Sequence, residues 1–93
     1  MIQTISEGEI TGIAIVIDSI TDISGIDLRD KVIIIKRLDQ ELLSYLFDVK
    51  GIIVEDGGLL SHTSIFLREA NIPCKRIKDA TKIYKVGDKV ILL

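Results

Sequence analysis

A single small domain of mixed α/β architecture is what this sequence predicts. Ninety-three residues suffice for one real core and leave no room for several active sites. Apolar residues make up 47% of the chain while aromatics are only 4% and Trp is absent, so that core must be aliphatic, built from Ile, Leu and Val. Short β-branched runs alternate with helix-like segments, and strands outnumber helices.

Ile10 to Asp18 reads as a strand with Ile13, Ile15 and Ile17 on one side and Ala14 and Val16 on the other, apolar on both and therefore expected between two layers. Residues 18–30 are polar and broken at Ser24-Gly25, the pattern of a loop with a short turn of structure. Lys31 to Lys36 encloses Val-Ile-Ile-Ile, a run suited to a central strand. Asp39 is placed to cap a helix over about Gln40 to Phe47, with Leu42, Leu43, Leu46 and Phe47 as its apolar stripe. Gly51 to Glu55 is the next strand. Ser61 to about Ala70 is helical, with Ile65, Phe66 and Ala70 toward the core and Arg68 and Glu69 toward solvent or the site; Pro73 limits its length. Short strands follow at Cys74 to Ile77, Lys82 to Tyr84 and Lys89 to Leu93, the last entered through a turn at Val86-Gly87-Asp88-Lys89.

Composition excludes several classes. The longest apolar stretches, Ile13 to Ile17 and Val32 to Ile35, are far short of a membrane span, and no basic segment followed by an apolar one opens the chain. The single cysteine, Cys74, excludes an intrachain disulfide and fits a reducing compartment, so a cytoplasmic domain with no membrane partner is expected. Beside a proline and entering a strand, Cys74 reads as a small buried hydrophobe. One His and one Cys are too few for a structural zinc site, so no metal is expected on this chain. The net charge of −2 is uneven: residues 1–60 hold 11 acidic against 5 basic side chains (−6), and residues 61–93 hold 3 against 7 (+4). A positive C-terminal third suits a phosphorylated substrate or an acidic partner face, although Lys78, Lys82, Lys85 and Lys89 also read simply as solvated lysines. An acidic total and the lack of stacking aromatics argue against nucleic acid.

The one histidine, His62, lies in Gly57-Gly58-Leu59-Leu60-Ser61-His62-Thr63-Ser64-Ile65, a glycine turn running into a helix start. Without such surroundings a lone histidine is more often structural. An unperturbed imidazole titrates near ~6.5, so its neutral form is an available nucleophile at pH 7 and can take up a phosphoryl group. Unpaired N–H groups and the dipole at a helix start favour the anion so formed. Paired glycines permit close approach of a ligand to the backbone. The hydroxyls of Ser61, Thr63 and Ser64 can cap the helix, orient the ring or donate to phosphoryl oxygens, and capping alone would account for at least one of them. Glu55 and Asp56 just before the turn can polarise the imidazole or bind Mg²⁺, with a solvated strand end as an equal reading.

The segment from Gly57 to Glu69 closely resembles the phosphohistidine motif of PEP-utilizing enzymes, the family of pyruvate phosphate dikinase, phosphoenolpyruvate synthase and enzyme I of the sugar phosphotransferase system. Ser6-x-Gly8 with Gly12, Asn71-Ile72-Pro73-Cys74, Ala80-Thr81 and Val86-Gly87-Asp88-Lys89-Val90 extend the resemblance over nearly the whole chain. It implies a three-layer β/β/α fold for a mobile, swivelling domain, with helices covering one sheet. His62 would be the phosphorylated residue, with Gly57, Gly58, Ser61, Thr63 and Ser64 around it and Arg68 as the motif arginine. Arg68 is six residues beyond His62, nearly two helical turns, and could tether the loop or meet a docking partner instead of the phosphoryl group.

Leu60 stands where the family commonly has Thr or another small polar residue, Leu67 where a small Ala is usual, and Cys74-Lys75-Arg76-Ile77 replaces an apolar stretch. These departures leave open altered partner choice or lost activity. The resemblance implies a carrier relaying a phosphoryl group between an ATP- or protein-linked site and a PEP/pyruvate-type site. The chain lacks a phosphate-binding P-loop and a PEP-binding barrel, so ATP-grasp-type nucleotide-binding and PEP/pyruvate-binding partners are expected, with Mg²⁺ accompanying ATP or PEP there. The alternative is a non-catalytic interaction or regulatory module with the same fold. Met1 and the closing strand read as natural ends, so a stand-alone domain over 1–93 is expected.

Overall fold

A computed structural model of the chain describes residues 2–18, 20–38, 40–56 and 61–93, and for Ile20, Gln40 and Ser61 the backbone alone. Its centre is one six-stranded sheet: β1 (Ile2–Ser6), β2 (Ile10–Ile17), β3 (Lys31–Ile35), β4 (Gly51–Val54), β5 (Cys74–Ile77) and β6 (Lys89–Leu92), in the spatial order β1-β5-β4-β3-β2-β6. β2, β3, β4 and β5 are mutually parallel, whereas β1 and β6 close the two edges in antiparallel pairing. A 3-10 turn at Ile20–Ile23 and helices α1 (Gln40–Leu43), α2 (Ser61–Glu69) and α3 (Ala80–Ile83) fill the connections.

The expected mixed, layered α/β arrangement is present, and its β component is a single curled sheet. Side chains alternate between two cores, as the period of a strand requires. Ile15, Ile17, Ile33, Ile35, Ile52 and Val54 point into one core, which α1 and α2 cover with Leu42, Leu43 and Leu67. Ala14, Val32, Ile34 and Ile53 point into the other, closed by Ile10, Val90 and Ala80 of α3. The strands expected at 10–18, 31–36, 51–55, 74–77 and 89–93 all form within a residue or so of their boundaries.

Three readings are corrected, and one strand is added. The helix expected over 40–47 ends at Leu43, and Phe47 is exposed instead of completing the apolar stripe. Residues 82–84 are not a strand: Ala80–Ile83 is a helical turn, entered through Asp79 in the left-handed region at φ 60°. Ile65 faces solvent, and the fully buried α2 residue is Leu67. The N-terminal segment before residue 10 is a strand, β1, whose outer side chains remain exposed and which therefore carries no two-sided apolar signal. The expected cap, Asp39, lies outside the described residues.

Two glycines act through close approach. A Cβ on Gly8, at φ +138°, would come within 2.8 Å of Pro73 Cγ, so the turn after β1 packs directly on the turn before β5. A Cβ on Gly12 would sit 2.7 Å from the Asp30 carbonyl oxygen, where backbone cannot yield cheaply. Leu67 tests the packing departure from the family pattern: Leu67→Ala is expected to cost about 2–5 kcal/mol in urea unfolding, because it empties a filled site between α2 and the sheet. A cost below about 1 kcal/mol would mean the core collapses onto an alanine there.

Candidate functional site

The parallel strands share one direction, so β3, β4 and β5 all end on the same edge of the sheet, where the chain changes from Ile and Val to Lys36, Glu55 and Lys78. Ligands of open α/β sheets bind beyond such carboxyl ends. From the end of β4 the chain passes Glu55 and Asp56, and resumes in the description at Ser61, the first residue of α2. Gly57, Gly58 and Leu60, and the side chain of Ser61, lie outside the described residues.

His62 is the second residue of the nine-residue α2, and its side chain is exposed. A helix start leaves its first N–H groups without partners inside the helix, which favours negative charge beside such a residue. Thr63 turns inward, only 3% exposed, and Ser64 is half-buried. The hydroxyl nearest in sequence on the C-terminal side is thus packed against the domain, while the imidazole is open. His62 lines a cavity of about 350 Å³ with Leu43, Ser44, Phe47 and Phe66. Phe66 lies one helical turn after His62, and Phe47 meets it edge-on with ring centroids 5.6 Å apart. The sequence reading missed this aromatic wall because it placed Phe47 inside a longer α1.

Arg68 projects away from the helix start, and its Nε donates to the carbonyl oxygen of Ile5 at 3.2 Å. This bond fastens the last turn of α2 to the edge strand β1. Arg68 thus has a tethering contact in the structure, about 9 Å along the helix axis from His62.

Glu55 is drawn away from the imidazole side. Its Oε2 accepts from the Thr81 amide at 2.6 Å and from the Thr81 hydroxyl, so it anchors the first turn of α3. The hydroxyl bond holds the Glu55 carboxyl below its ordinary value of 4.5, burial opposes the shift, and the amide bond adds to it. Arg76 Nε donates to the Glu55 carbonyl oxygen at 3.2 Å, pinning β5 to the end of β4. Asp56 lies 3.4 Å from the Arg37 guanidinium. Cys74 is buried against the main core, and burial pushes its thiol up to about 12, which fits a packing role. Among the described residues no group of three or more His, Cys, Asp and Glu side chains is arranged to hold a metal ion, and no helix is long and apolar enough to cross a membrane.

The family model for the PEP-utilising enzyme mobile domain matches residues 27–93. The chain is 39% identical over 92 residues to a pyruvate kinase of Staphylococcus epidermidis, a match covering 98% of this chain and 16% of that protein. It is 33% identical over 86 residues to a pyruvate kinase of Staphylococcus haemolyticus, covering 91% of this chain and 15% of the relative. The chain therefore spans about one sixth of the length of these curated relatives. A UPF0107 protein solved by NMR superposes with a TM-score of 0.68 at 19% identity, over 96% of this chain and 87% of that one, a likeness of fold.

The Glu55–Thr81 pairing yields a pH-dependent expectation. A carboxyl held below its unfolded value stabilises the fold at pH values above that unfolded value, and loses the contribution as pH falls through the lower folded value. Thr81→Val is expected to cost about 1 kcal/mol in urea unfolding at pH 7. The difference from wild type should shrink as the pH is taken below 4.5 and further down. A pH-independent difference would assign the loss to packing.

Proposed function

The chain belongs to the family of PEP-utilising enzyme mobile domains, and from that premise we propose that it is a phosphohistidine carrier whose working group is His62. Domains of this family carry phosphoryl groups within multidomain PEP-utilising enzymes. The observation that supports His62 best is its placement: the only histidine of the chain, exposed at the start of a helix, shortly after the Gly57-Gly58 pair in sequence.

The chemistry is two successive in-line transfers. A neutral ring nitrogen of His62 attacks phosphorus; an N–P bond forms as the bond to the donor's leaving oxygen breaks. In the second transfer an acceptor oxygen attacks, the N–P bond breaks, and the imidazole returns to its starting state. Phosphoryl transfer of this kind depends on alignment and charge stabilisation more than on covalent work by the protein. The open side chain allows a partner to close over it, and the N–H groups at the helix start stabilise the carried charge. Gly57, Gly58, Ser61, Thr63 and Ser64 are the motif positions assigned around His62 in this reading, and Arg68 positions the helix on β1.

Donor and acceptor sites belong to partners: an ATP-grasp-type nucleotide-binding unit and a PEP/pyruvate-binding unit, with Mg²⁺ accompanying ATP or PEP there. The relatives support further units in general, since they are named pyruvate kinases and more than four fifths of their length lies outside the match. The same coverage favours a second reading, a regulatory or interaction module that has kept the fold without turnover.

Intact-mass measurement separates the two. Wild type and His62→Ala are incubated with ATP or with PEP in a cell lysate shown to phosphorylate a PEP-utilising carrier. The carrier reading expects one acid-labile phosphoryl adduct on wild type and complete loss in His62→Ala, with stability changed by less than about 0.5 kcal/mol because the side chain is exposed. An unmodified wild type in both arms would reject the carrier in favour of the module.

A further inference from the structure

A second polar site lies on the same edge of the sheet, apart from the aromatic cavity that His62 lines. An open cleft of about 540 Å³, within the size range of small-molecule sites, is bordered by Lys36, Arg37, Arg76 and Lys78, with Glu55 and Asp56 between them. Its position follows from the strand register. Ile35, Val54 and Arg76 are in line across β3, β4 and β5, so Lys36 leaves the sheet on one side of β4 and Lys78 on the other. Neighbouring strands lie about 4.8 Å apart, which sets these two backbones about 10 Å apart. Long lysine side chains can converge across that gap on one compact ligand.

Charge accounting gives the sign of that ligand. Glu55 is occupied by Thr81, and Asp56 lies beside Arg37. Arg76 spends Nε on the Glu55 carbonyl oxygen, which leaves its terminal nitrogens as donors. Lys36 and Lys78 have no ion pair among the described residues. Asp79 has no ion pair among the described residues, and the Glu55 carboxylate, bonded to Thr81, keeps its charge and feels Lys36 electrostatically. Four cationic side chains thus line the cleft with three carboxylates, a net positive charge at the carboxyl ends of parallel strands, and Lys36, Lys78 and the free end of Arg76 are its cations outside any ion pair among the described residues.

We propose that this cleft binds a small organic phosphate, a compact anion of at least two negative charges, held by Lys36, Lys78 and the free end of the Arg76 guanidinium. Ammonium groups act on it as point charges, and the guanidinium supplies planar directed donors. Binding here is independent of phosphorylation at His62, although the cleft floor at Glu55 and Asp56 is where the chain departs toward the histidine.

The test is a heteronuclear NMR titration of the 93-residue chain with pyrophosphate, inorganic phosphate and citrate, each against sodium chloride at matched ionic strength. Pyrophosphate is expected to give saturable shifts centred on the amides of Lys36, Arg37, Arg76 and Lys78. The double variant Lys36→Ala/Lys78→Ala should bind at least about tenfold more weakly, and Lys36→Arg/Lys78→Arg should retain binding. Both lysines are exposed, so the folded spectrum should persist in each. His62→Ala should bind like wild type, so failure of the carrier reading leaves this result untouched. Preference for phosphate over citrate supports the proposal; equal or stronger citrate binding overturns the phosphate assignment. Shifts that salt reproduces, shifts centred elsewhere, or no saturable shift with pyrophosphate would each overturn the site.

Discussion

Everything at the functional edge depends on a sheet buried on both faces. Val32, Ile33, Ile34, Ile52, Ile53 and Val54 are all fully enclosed, three of them feeding one core and three the other. Burying each such side chain is worth roughly 1.5–3 kcal/mol, so a one-residue slip of β3 or β4 would exchange the two cores wholesale. That constraint fixes where the strands stop. Polar chemistry can begin only where the double burial ends, and the parallel course of β3, β4 and β5 gathers those endpoints on a single edge. The route to His62 and the cationic cleft are both products of that geometry.

Strands that are apolar on both sides were legible because β-branched runs leave no competing interpretation. The remainder was decided by contacts distant in sequence. Ala80-Thr81-Lys82-Ile83 contains two β-branched residues and suits a strand locally, yet it is a helical turn. Glu55 accepts from both the amide and the hydroxyl of Thr81 across 26 positions, and Ala80 fills the second core. No window of sequence contains that information. β1 was illegible for the opposite reason: it pairs along β5 but buries little beyond Ser6, so hydrogen bonding and not an apolar pattern defines it. In α2 the apolar residues Ile65, Phe66 and Leu67 are consecutive, and a helix can direct only part of such a run inward. Leu67 takes the core position, Ile65 stays outside, and Phe66 lies at the margin beside Phe47.

The candidate site was legible as chemistry before it was legible as geometry. The glycine pair, the single histidine and the helix start are local features, readable directly from residues 57–69. What Arg68 and Glu55 do is not local. Arg68 reaches Ile5, 63 positions away, and Glu55 turns to Thr81 instead of the imidazole. Both residues therefore act on the frame: one fixes the end of α2 to the sheet edge, the other fixes α3 beneath the strand end. A helix secured at its far end can present its first turn without burying it, and His62 there is exposed.

Charge along the sequence located the cationic surface only in part. The basic excess of residues 61–93 contributes Arg76 and Lys78, but Lys36 and Arg37 come from the strongly acidic first sixty residues. Net charge by segment cannot reveal this, because the parallel crossover brings the end of β3 beside the ends of β4 and β5. Two of the three carboxylates of the same edge have specific partners, Glu55 at Thr81 and Asp56 beside Arg37. A carboxylate bound to a hydroxyl and an amide keeps its charge but leaves nearby lysines without a direct ion pair. Hydrogen bonding from α3 thus holds one carboxylate of a nearly balanced set of charges in the frame, while Asp79 stays exposed on the rim.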